Sequence, residues 1–510
     1  MSTYFPLIPY YSRRAYQILK QSKNSFFSAL TYFNVDFAYN YITKSTPNVI
    51  IRDGVISERK LGEYICLKVP AYKRLLKENR VDKPVIDKEN YLLENDFTDM
   101  LPNGDIGYAD VISVSSGSSG KPFFWPRGKY LELETTIIHE ILLKYVFDID
   151  KKHTLFINAY SMGMYVAGVF TNNAVTRIAE RGYNISIINP GISEKDIIRI
   201  IKEIGRAYDQ IIISGYPPFI LDVIEAGRNE GIKWKEKDLK FIFGAEAISE
   251  EWRNNLLKLI GDTNKYFSSF NTYGSADLAM LGHETPFSIF IKDQLVKNKH
   301  LYKTILNSRS ISTLVQYHPS LKHFNEKNGE LFCSGLGGIP LYNYNLHDHG
   351  SVYTIEDMIG LFESVGVNII KLAEKENIPI WNLPFVVLFG KSDQTVTLYG
   401  LNVYPQTIRK ALESKELIDF VTARSTISTE YKKRGTQYLK VIVELKKGER
   451  VSNSKRNKIS EKVFQILFED NYEYRTLYQK IGDKAKPVIK LVMYGRIAEN
   501  RGIKQQWIKR

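Results

Sequence analysis

A run of small polar residues that ends in a lysine could bind phosphate. It follows the apolar residues Val111, Ile112 and Val114 and reads Ser115, Ser116, Gly117, Ser118, Ser119, Gly120 and Lys121. Small residues let a backbone approach a phosphate closely, while hydroxyl groups, N–H groups and the lysine supply donors and positive charge. The run is not a Walker A loop, whose glycines are separated by four residues and followed by Lys-Ser/Thr. A flexible Ser/Gly linker has the same composition, so other segments must decide between the two interpretations.

Five further segments carry residue types that suit a nucleotide and a metal ion. They are Gly244-Ala245-Glu246, Tyr273-Gly274-Ser275-Ala276-Asp277, Pro340–Asp348, Gly390–Pro405 and Arg501–Lys504. The second of them offers an aromatic ring, a glycine for a tight turn, and a carboxylate, whose oxygens suit Mg²⁺. No single segment is specific, but all six occur in one defined order.

In that order the segments resemble the adenylate-forming superfamily of acyl-CoA synthetases, adenylation domains and luciferases. The resemblance is closest to the phenylacetate-CoA ligase branch and covers nearly the whole chain. It implies that the carboxylate of an acid attacks the α-phosphate of MgATP, giving an acyl adenylate and pyrophosphate. Catalysis of this step is mainly positioning and electrostatic stabilisation, because charge builds on the phosphate oxygens. Coenzyme A is then the expected acyl acceptor.

The resemblance also assigns roles to individual residues. Tyr273 would lie against the adenine, Asp348 would accept hydrogen bonds from the ribose hydroxyls, and Asp277 would hold Mg²⁺. Lys121 would act on the β- and γ-phosphates, and Lys504 on the α-phosphate. The complete set assigned to ATP or AMP is Ser115, Ser116, Gly117, Ser118, Ser119, Gly120, Lys121, Gly244, Ala245, Glu246, Tyr273, Gly274, Ser275, Asp348 and Lys391.

Several of these positions depart from the family pattern or allow another interpretation. Asp277 stands where the family usually has Glu, and helix capping is its alternative role. Lys391 replaces the usual Arg and loses the bidentate fork of a guanidinium group. Lys509 is an alternative to Lys504, because an inserted Ile separates Lys504 from Gly502. The other departures are Asn343 and Asn345, where Arg is common, and His347, which replaces Gly. His347, His349 and His283 could suggest a metal site, but exposed loop histidines are the expectation.

The remaining expected positions concern the acid, the acceptor and movement between domains. The acid is expected near Tyr160, Gly163, Tyr165 and Tyr216, whose surroundings favour an aromatic or medium-sized apolar acid. Core packing would explain some of these residues equally well. Gly400 would let the backbone approach the pantetheine of coenzyme A. Asp393 would lie at the hinge between a large and a small domain.

The elements that must position these residues follow from the apolar pattern. Between about 110 and 260, short apolar runs alternate with longer helical patterns, which predicts a parallel sheet covered by helices on both faces. Ligands bind beyond the carboxyl ends of the strands in such sheets. We therefore predict an α/β fold, with a large N-terminal domain (1–390) of mostly parallel sheets flanked by helices. A small mobile α+β domain (391–510) is expected to follow.

Composition narrows the functional class further. The 510 residues carry a net charge of +14 and only two cysteines, Cys66 and Cys333. The basic residues are scattered along the chain, so the positive charge suits a polyanionic small molecule as well as it suits nucleic acid. Binding to nucleic acid is not predicted. The cysteine count excludes a disulfide framework, and no apolar run is long enough for a membrane span. A cytoplasmic enzyme is expected.

The sequence leaves three interpretations of the activity and of the acyl acceptor open. The leading one is an acid–CoA ligase that uses ATP, Mg²⁺ and coenzyme A. The second is adenylation with transfer to a carrier-protein thiol, to an amine, or onto a cofactor such as a deazaflavin. The third is a non-catalytic relative that binds nucleotide.

Overall fold

A computed structural model describes most of the chain between residues 34 and 497. The described residues are 34–79, 83–107, 109–114, 123–163, 166–298, 301–302, 313–391, 396–398, 401–431 and 437–497. The expected sites at Ser115–Lys121, Tyr165, Asp393, Gly400, Lys504 and Lys509 lie outside them. The backbone of Lys391 is described, but its side chain is not.

The helices begin where the sequence offers caps. Ser193 and Ser249 each accept a hydrogen bond from the backbone N–H three residues on, at Asp196 and Trp252. Such caps satisfy N–H groups that have no partner within the helix. The described α-helices are α1 (Val35–Lys44), α2 (Pro47–Lys68), α3 (Pro70–Asn79), α4 (Lys129–Tyr145), α5 (Val166–Ala179), α6 (Glu194–Glu203), α7 (Pro217–Asn229), α8 (Glu250–Ile260), α9 (Lys265–Ser268), α10 (Pro286–Lys297), α11 (Ile355–Glu363), α12 (Ile369–Lys375), α13 (Pro405–Leu412), α14 (Asn453–Asp470) and α15 (Tyr472–Ile481).

The strands form one large mixed sheet and three small ones within the described part of the chain. The strands are β1 (Ala109–Val114), β2 (Phe124–Gly128), β3 (Thr154–Ala159), β4 (Ile185–Ile188), β5 (Gln210–Gly215), β6 (Asp238–Phe243), β7 (Ser269–Ser275), β8 (Ala279–His283), β9 (Thr313–Gln316), β10 (Lys322–Lys327), β11 (Glu330–Leu336), β12 (Pro340–Tyr353), β13 (Phe385–Lys391), β14 (Val396–Leu398), β15 (Leu401–Val403), β16 (Val421–Tyr431), β17 (Gln437–Leu445) and β18 (Val488–Val492). The large sheet has the order β10-β11-β12-β13-β9-β8-β7-β6-β5-β3-β4.

The half of the large sheet from β4 to β7 is parallel. Every residue of β3 and β5 is buried, which is typical of strands covered on both faces. Phe156, Ile212 and Ile242 point to one face and pack with residues of α4 and α5. Leu155 and Ile211 point to the other face and pack with residues of α6, α7 and α8.

The other half of the large sheet, from β7 to β10, is antiparallel. This half is not predicted from the sequence, in which the polar composition of 285–330 obscures β9 and β10. β10 illustrates the reason, since its residues 325–327 are exposed at the edge of the sheet. The α/β architecture with helices flanking a sheet is confirmed, but the sheet is parallel in only one half.

A smaller unit follows the large sheet and has a hydrophobic core of its own. We call residues 396–497 the small unit. Its core draws only on residues between Val396 and Leu491, on α13–α15 and β14–β18. β16, β17 and β18 form a three-stranded sheet in which β16–β17 is antiparallel and β17–β18 is parallel. The domain boundary at 390 and the mobility of this unit stay predictions.

None of the helices in the part of the chain described here combines the length and the apolar composition that a membrane crossing requires.

A buried arginine ties the two halves of the large sheet together. Arg253 on α8 is fully buried and donates to both carboxylate oxygens of Glu284, each at 2.7 Å. Its Nε lies 3.1 Å from Oε2 of Glu250, and another N–H group donates to the backbone oxygen of Ser269. Burial favours loss of the Arg253 proton, but the two carboxylates outweigh burial and raise its pKa. Glu284 in turn accepts the backbone N–H of Asn271 at 2.7 Å.

We expect Arg253→Met to destabilise the protein by about 3–5 kcal/mol, because two buried carboxylates would lose their hydrogen-bonded cation and keep only the more distant Lys292. Urea unfolding followed by circular dichroism measures this change. Arg199→Met, which removes an exposed ion pair with Glu203, is the control and should change stability by about 0–1 kcal/mol. A loss below about 1 kcal/mol in Arg253→Met would contradict the central role of this arginine.

Candidate active site

The carboxyl ends of the parallel strands open into one cavity of about 200 Å³. Tyr160 follows β3, Tyr216 follows β5, Gly244 follows β6, and Tyr273 lies in β7. The lining residues are Val114, Thr135, His139, Tyr160, Val166, Ala167, Phe170, Thr171, Ser214, Tyr216, Ile242, Gly244, Ala245, Thr272, Tyr273, Gly274, Ser275, Ala276, Ala279 and Met280. The structure thus brings residues predicted for the acid and residues predicted for the nucleotide to the same cavity.

The Gly244–Glu246 segment is held in a constrained backbone conformation. Ala245 has a φ of 67°, a left-handed value that costs energy in a residue with a Cβ atom. A Cβ atom on Gly244 would lie 2.8 Å from the hydroxyl of Tyr160, so only glycine fits there. The backbone oxygen of Glu246 accepts a hydrogen bond from Asn271 at 3.0 Å. Strain that is held in place by its surroundings is common at functional sites.

Tyr273 and Asp348, the residues expected at the adenine and the ribose, form a hydrogen bond with each other. The Tyr273 hydroxyl donates to Oδ2 of Asp348 at 2.5 Å, and both side chains are buried. Burial, and next the Asp348 carboxylate, raise the pKa of Tyr273 well above its usual value. The hydroxyl therefore keeps its proton and holds the carboxylate in one orientation.

Asp277 lies in the turn between β7 and β8, directly after the cavity residue Ala276. Its Oδ2 accepts a hydrogen bond from the Tyr344 hydroxyl at 3.0 Å. No helix follows it, since β8 begins at Ala279, and Ser275 caps the turn by accepting the Leu278 N–H. The geometry therefore does not support helix capping as the role of Asp277.

The two asparagines that replace family arginines stabilise neighbouring segments. Nδ2 of Asn343 donates to the backbone oxygens of Lys83 and Pro84, each at 3.2 Å. Nδ2 of Asn345 donates to Glu330 at 3.0 Å. Asn343 has a left-handed φ of 58°, which asparagine tolerates better than most residues. These contacts give both residues a structural role in β12 and its surroundings.

His283 is buried, and its expected place in an exposed loop is wrong. It lies in β8 with its Nε2 atom 3.3 Å from Nε2 of His318. Burial lowers the pKa of His283 to about 4 and that of His318 to about 3. Both rings are therefore neutral near pH 7. The burial of His283 depends on the sheet and on His318, which is distant in sequence, so local sequence signals do not reveal it.

Tyr160 and Tyr216 form part of the cavity wall as an aromatic pair. Their ring centroids lie 5.1 Å apart and their planes are nearly perpendicular, at 84°. The Tyr160 hydroxyl donates to the backbone oxygen of Ile242 at 3.4 Å. Gly163, which was expected near the acid, is described but does not line this cavity.

Two helices supply cavity residues that the sequence analysis did not single out. α4 contributes Thr135 and His139, and α5 contributes Phe170 and Thr171. Thr135 and His139 lie four residues apart, as do the lining residues Ala167 and Thr171, and this helical spacing by itself indicates only a buried helix face. A polar pair four residues apart on an otherwise apolar face was the signal that could have identified Thr135 and His139.

The small unit contacts the Gly244–Glu246 segment through Arg409. Its guanidinium group lies 3.1 Å from Oε2 of Glu246 and 2.6 Å from Oε1 of Glu413, and all three side chains are buried. Burial favours loss of the Arg409 proton, but the carboxylates of Glu413 and Glu246 outweigh burial and raise its pKa. Oε2 of Glu413 also accepts the Ser249 hydroxyl at 2.5 Å.

A second buried contact joins the small unit to α7. Arg424 pairs with Asp222 and lies 3.1 Å from Oε1 of Glu444. Burial raises the pKa of Asp222 to about 6, although Arg424 acts in the opposite direction. Lys446 adds an ion pair with Glu225 at 2.5 Å. α7 begins directly after Tyr216, which lines the cavity.

Comparisons with known proteins identify the fold. No protein-family model and no curated protein sequence matches the chain. Among solved structures, the chain is similar to 2-hydroxyisobutyryl-CoA ligase in the postadenylation state in complex with R3-HIB-AMP. The TM-score is 0.66 at 13% identity, covering 92% of this chain and 91% of that chain.

Two other structures of the same ligase give a consistent result. The postadenylation complex with 2-HIB-AMP has a TM-score of 0.63 over the same shares of both chains, again at 13% identity. The complex with 2-HIB-AMP and CoA in the thioesterification state has a TM-score of 0.51, at 13% identity and 92% of each chain. The chain therefore has the fold of the adenylate-forming acyl-CoA ligases, as the sequence resemblance predicted. The specific likeness to the phenylacetate-CoA ligase branch stays a prediction.

We expect Tyr273→Phe to lower the free energy of unfolding by about 1.5–3 kcal/mol, because the buried Asp348 carboxylate loses a hydrogen bond. Chemical denaturation measures the change. Tyr72→Phe is the matched control, since the buried Tyr72 hydroxyl has no hydrogen-bond partner among the described residues. Equal effects of the two substitutions would show that the Tyr273–Asp348 bond contributes little.

Proposed function

We propose that this protein activates a carboxylic acid with ATP and transfers the acyl group to coenzyme A. The observation that carries the proposal is the shared cavity, in which the Tyr160–Tyr216 pair meets the Gly244–Ala245 and Tyr273–Ser275 segments. An acid bound by the tyrosines and an adenosine bound by the two backbone segments would share one cavity. Holding two reactants together in this way lowers the entropic part of the barrier.

In the first half-reaction, a carboxylate oxygen of the acid forms a bond to the α-phosphorus of ATP. The bond from that phosphorus to the bridging oxygen breaks, and the electron pair leaves with pyrophosphate. In the second half-reaction, the thiolate of coenzyme A attacks the acyl carbonyl carbon, and AMP leaves. A carrier-protein thiol, an amine or a cofactor could take the place of coenzyme A in this step.

The described residues suit these steps in different ways. Asp348, oriented by Tyr273, would accept the hydroxyl groups of the ribose. Mg²⁺ would neutralise charge on the phosphates, and the carboxylate of Asp277 after the Tyr-Gly turn fits the usual pattern of one or two carboxylates plus phosphate oxygens. Lys121 and Lys504 would place positive charge on the β/γ- and α-phosphates. Lys391, whose backbone pairs with Asp348 in β12–β13, would add a further cation.

The arrangement of the small unit supports adenylation as the chemistry of this conformation. The fold matches the ligase better in its postadenylation state than in its thioesterification state, with TM-scores of 0.66 and 0.51. Both matches cover the same 92% of this chain. The contacts of Arg409 with Glu246 and of Arg424 with Asp222 would then maintain the orientation for the first half-reaction.

ATP–pyrophosphate exchange across a panel of carboxylic acids tests the proposal directly. We expect exchange that depends on both the acid and magnesium, followed by formation of an acyl-CoA when coenzyme A is added. Exchange without acyl-CoA would indicate another acceptor. Binding of ATP without exchange for any acid would favour a non-catalytic nucleotide-binding protein.

We expect Asp348→Ala to weaken ATP binding roughly 10- to 150-fold, because each charge-assisted bond to the ribose contributes about 1.5–3 kcal/mol. Isothermal titration calorimetry measures the affinity. Asp348→Asn is the informative companion, since it keeps an oxygen that can accept from Tyr273 but removes the charge. Unchanged affinity in a folded Asp348→Ala variant would rule out contact with the ribose.

We expect Lys504→Ala to suppress adenylate formation while sparing thioester formation from a supplied acyl adenylate. Lys504 is proposed to act only on the α-phosphate, whereas the Gly400 segment would approach the acceptor after the small domain turns about Asp393. Pyrophosphate exchange and thioester formation are measured separately, with Lys509→Ala as the matched control. Equal loss of both half-reactions in Lys504→Ala would contradict alternation of the small domain between two orientations. Loss of adenylate formation only in Lys509→Ala would identify Lys509 as the lysine that acts on the α-phosphate.

A further inference from the structure

The composition of the cavity limits the acid that it can accept. Its volume is about 200 Å³, and an apolar cavity of about 150 Å³ is sufficient for benzene. The acid would share this cavity with the nucleotide, so its part of the volume accepts at most one ring or a branched chain of similar bulk. Among the described lining residues there is no Asp, Glu, Lys or Arg. A second carboxylate on the substrate would be buried without a partner, which is costly.

One wall of this cavity carries a histidine whose tautomer follows from its hydrogen bond. Nδ1 of His139 lies 2.8 Å from the backbone oxygen of Thr135. A carbonyl oxygen only accepts, so Nδ1 must carry the proton. Burial lowers the pKa of His139, although the bond to Thr135 acts in the opposite direction, so the ring is neutral. Nε2 is therefore a hydrogen-bond acceptor, on the side of the ring away from that bond.

The hydroxyl groups of Thr135, Tyr160 and Ser214, which also line the cavity, already have hydrogen-bond partners. The Thr135 hydroxyl donates to the backbone oxygen of Leu131, and the Tyr160 hydroxyl donates to that of Ile242. Ser214 is 1% exposed, and its hydroxyl interacts with the Tyr160 hydroxyl. Nε2 of His139, in contrast, makes no hydrogen bond within the described part of the chain. Buried polar groups are normally satisfied, so this acceptor points to a polar atom supplied by the ligand.

We propose that His139 is a specificity-determining residue that accepts a hydrogen bond from a hydroxyl group on the acid. The substrate class is then a monocarboxylic acid that carries a hydroxyl group on a single ring or a branched chain of that size. This inference rests on the proposed function. A site built to bond a hydroxyl discriminates strongly against the analogue that lacks it, because the acceptor would stay buried and unpaired.

Matched acid pairs in the pyrophosphate-exchange assay test this proposal. The pairs are phenylacetate with 3- and 4-hydroxyphenylacetate, benzoate with 3- and 4-hydroxybenzoate, and isobutyrate with 2- and 3-hydroxyisobutyrate. We expect the wild type to prefer a hydroxylated member of at least one pair by tenfold or more in kcat/KM. His139→Phe should reduce that preference to threefold or less, through a higher KM for the hydroxylated acid and little change for its partner.

Two further variants separate hydrogen bonding from a structural role. His139→Gln keeps an acceptor near the position of Nε2 and should retain part of the preference. Thr136→Val is the structural control, since Thr136 is buried on the same helix, donates only to the Glu132 backbone and does not line the cavity. It should leave the ratio within a pair unchanged, even if overall stability falls.

Each contrary outcome has a distinct meaning. Exchange with no hydroxyl preference in the wild type overturns the assignment of His139 but leaves the proposed function standing. So does a His139→Phe variant that loses both members of a pair equally, because that result indicates a structural role. Exchange with none of the acids, while ATP still binds, overturns the proposed function and this assignment together.

Discussion

The buried guanidinium group of Arg253 is the interaction on which the geometry of the candidate site depends. It pairs with Glu250 on α8 and with Glu284 after β8, and Glu284 accepts the backbone N–H of Asn271 in β7. Asn271 then donates to the backbone oxygen of Glu246. A single buried charge network therefore relates the loop after β6 to the strand that carries Tyr273. A buried network of this kind is favourable only when every member is satisfied, which restricts the alternatives open to the backbone.

The change from parallel to antiparallel pairing at β7 explains why the two substrates can meet. The parallel strands deliver their carboxyl ends, with Tyr160, Tyr216 and Gly244, to one edge of the sheet. β7 belongs to both halves, so its Tyr273 lines that cavity and also donates to Asp348 in β12 of the antiparallel half. One half thus contributes a pocket lined by side chains, and the other contributes a carboxylate held by a tyrosine.

The sequence predicted the parallel strands and their caps well, because buried strands and Ser caps have strong local signals. It did not predict the antiparallel strands of 313–353, whose register depends on distant partners and whose edge is polar. His283 was misplaced for the same reason, since its burial depends on His318 and on the sheet rather than on its neighbours in sequence. Thr135 and His139 were missed because residues four positions apart on a helix usually belong to its buried, core-facing side. Only the cavity in the structure distinguishes a residue that lines a site from one that packs in the core.

The contact between Arg409 and Glu246 has a thermodynamic consequence. Glu246 belongs to the segment proposed to meet the adenine, while Arg409 belongs to the small unit. A nucleotide that favours the present position of this segment must therefore also favour docking of the small unit, and docking must raise nucleotide affinity by the same factor. Such coupling free energies are typically about 1–3 kcal/mol. The small unit would therefore dock more tightly on the nucleotide-bound protein than on the empty one, by that same free energy.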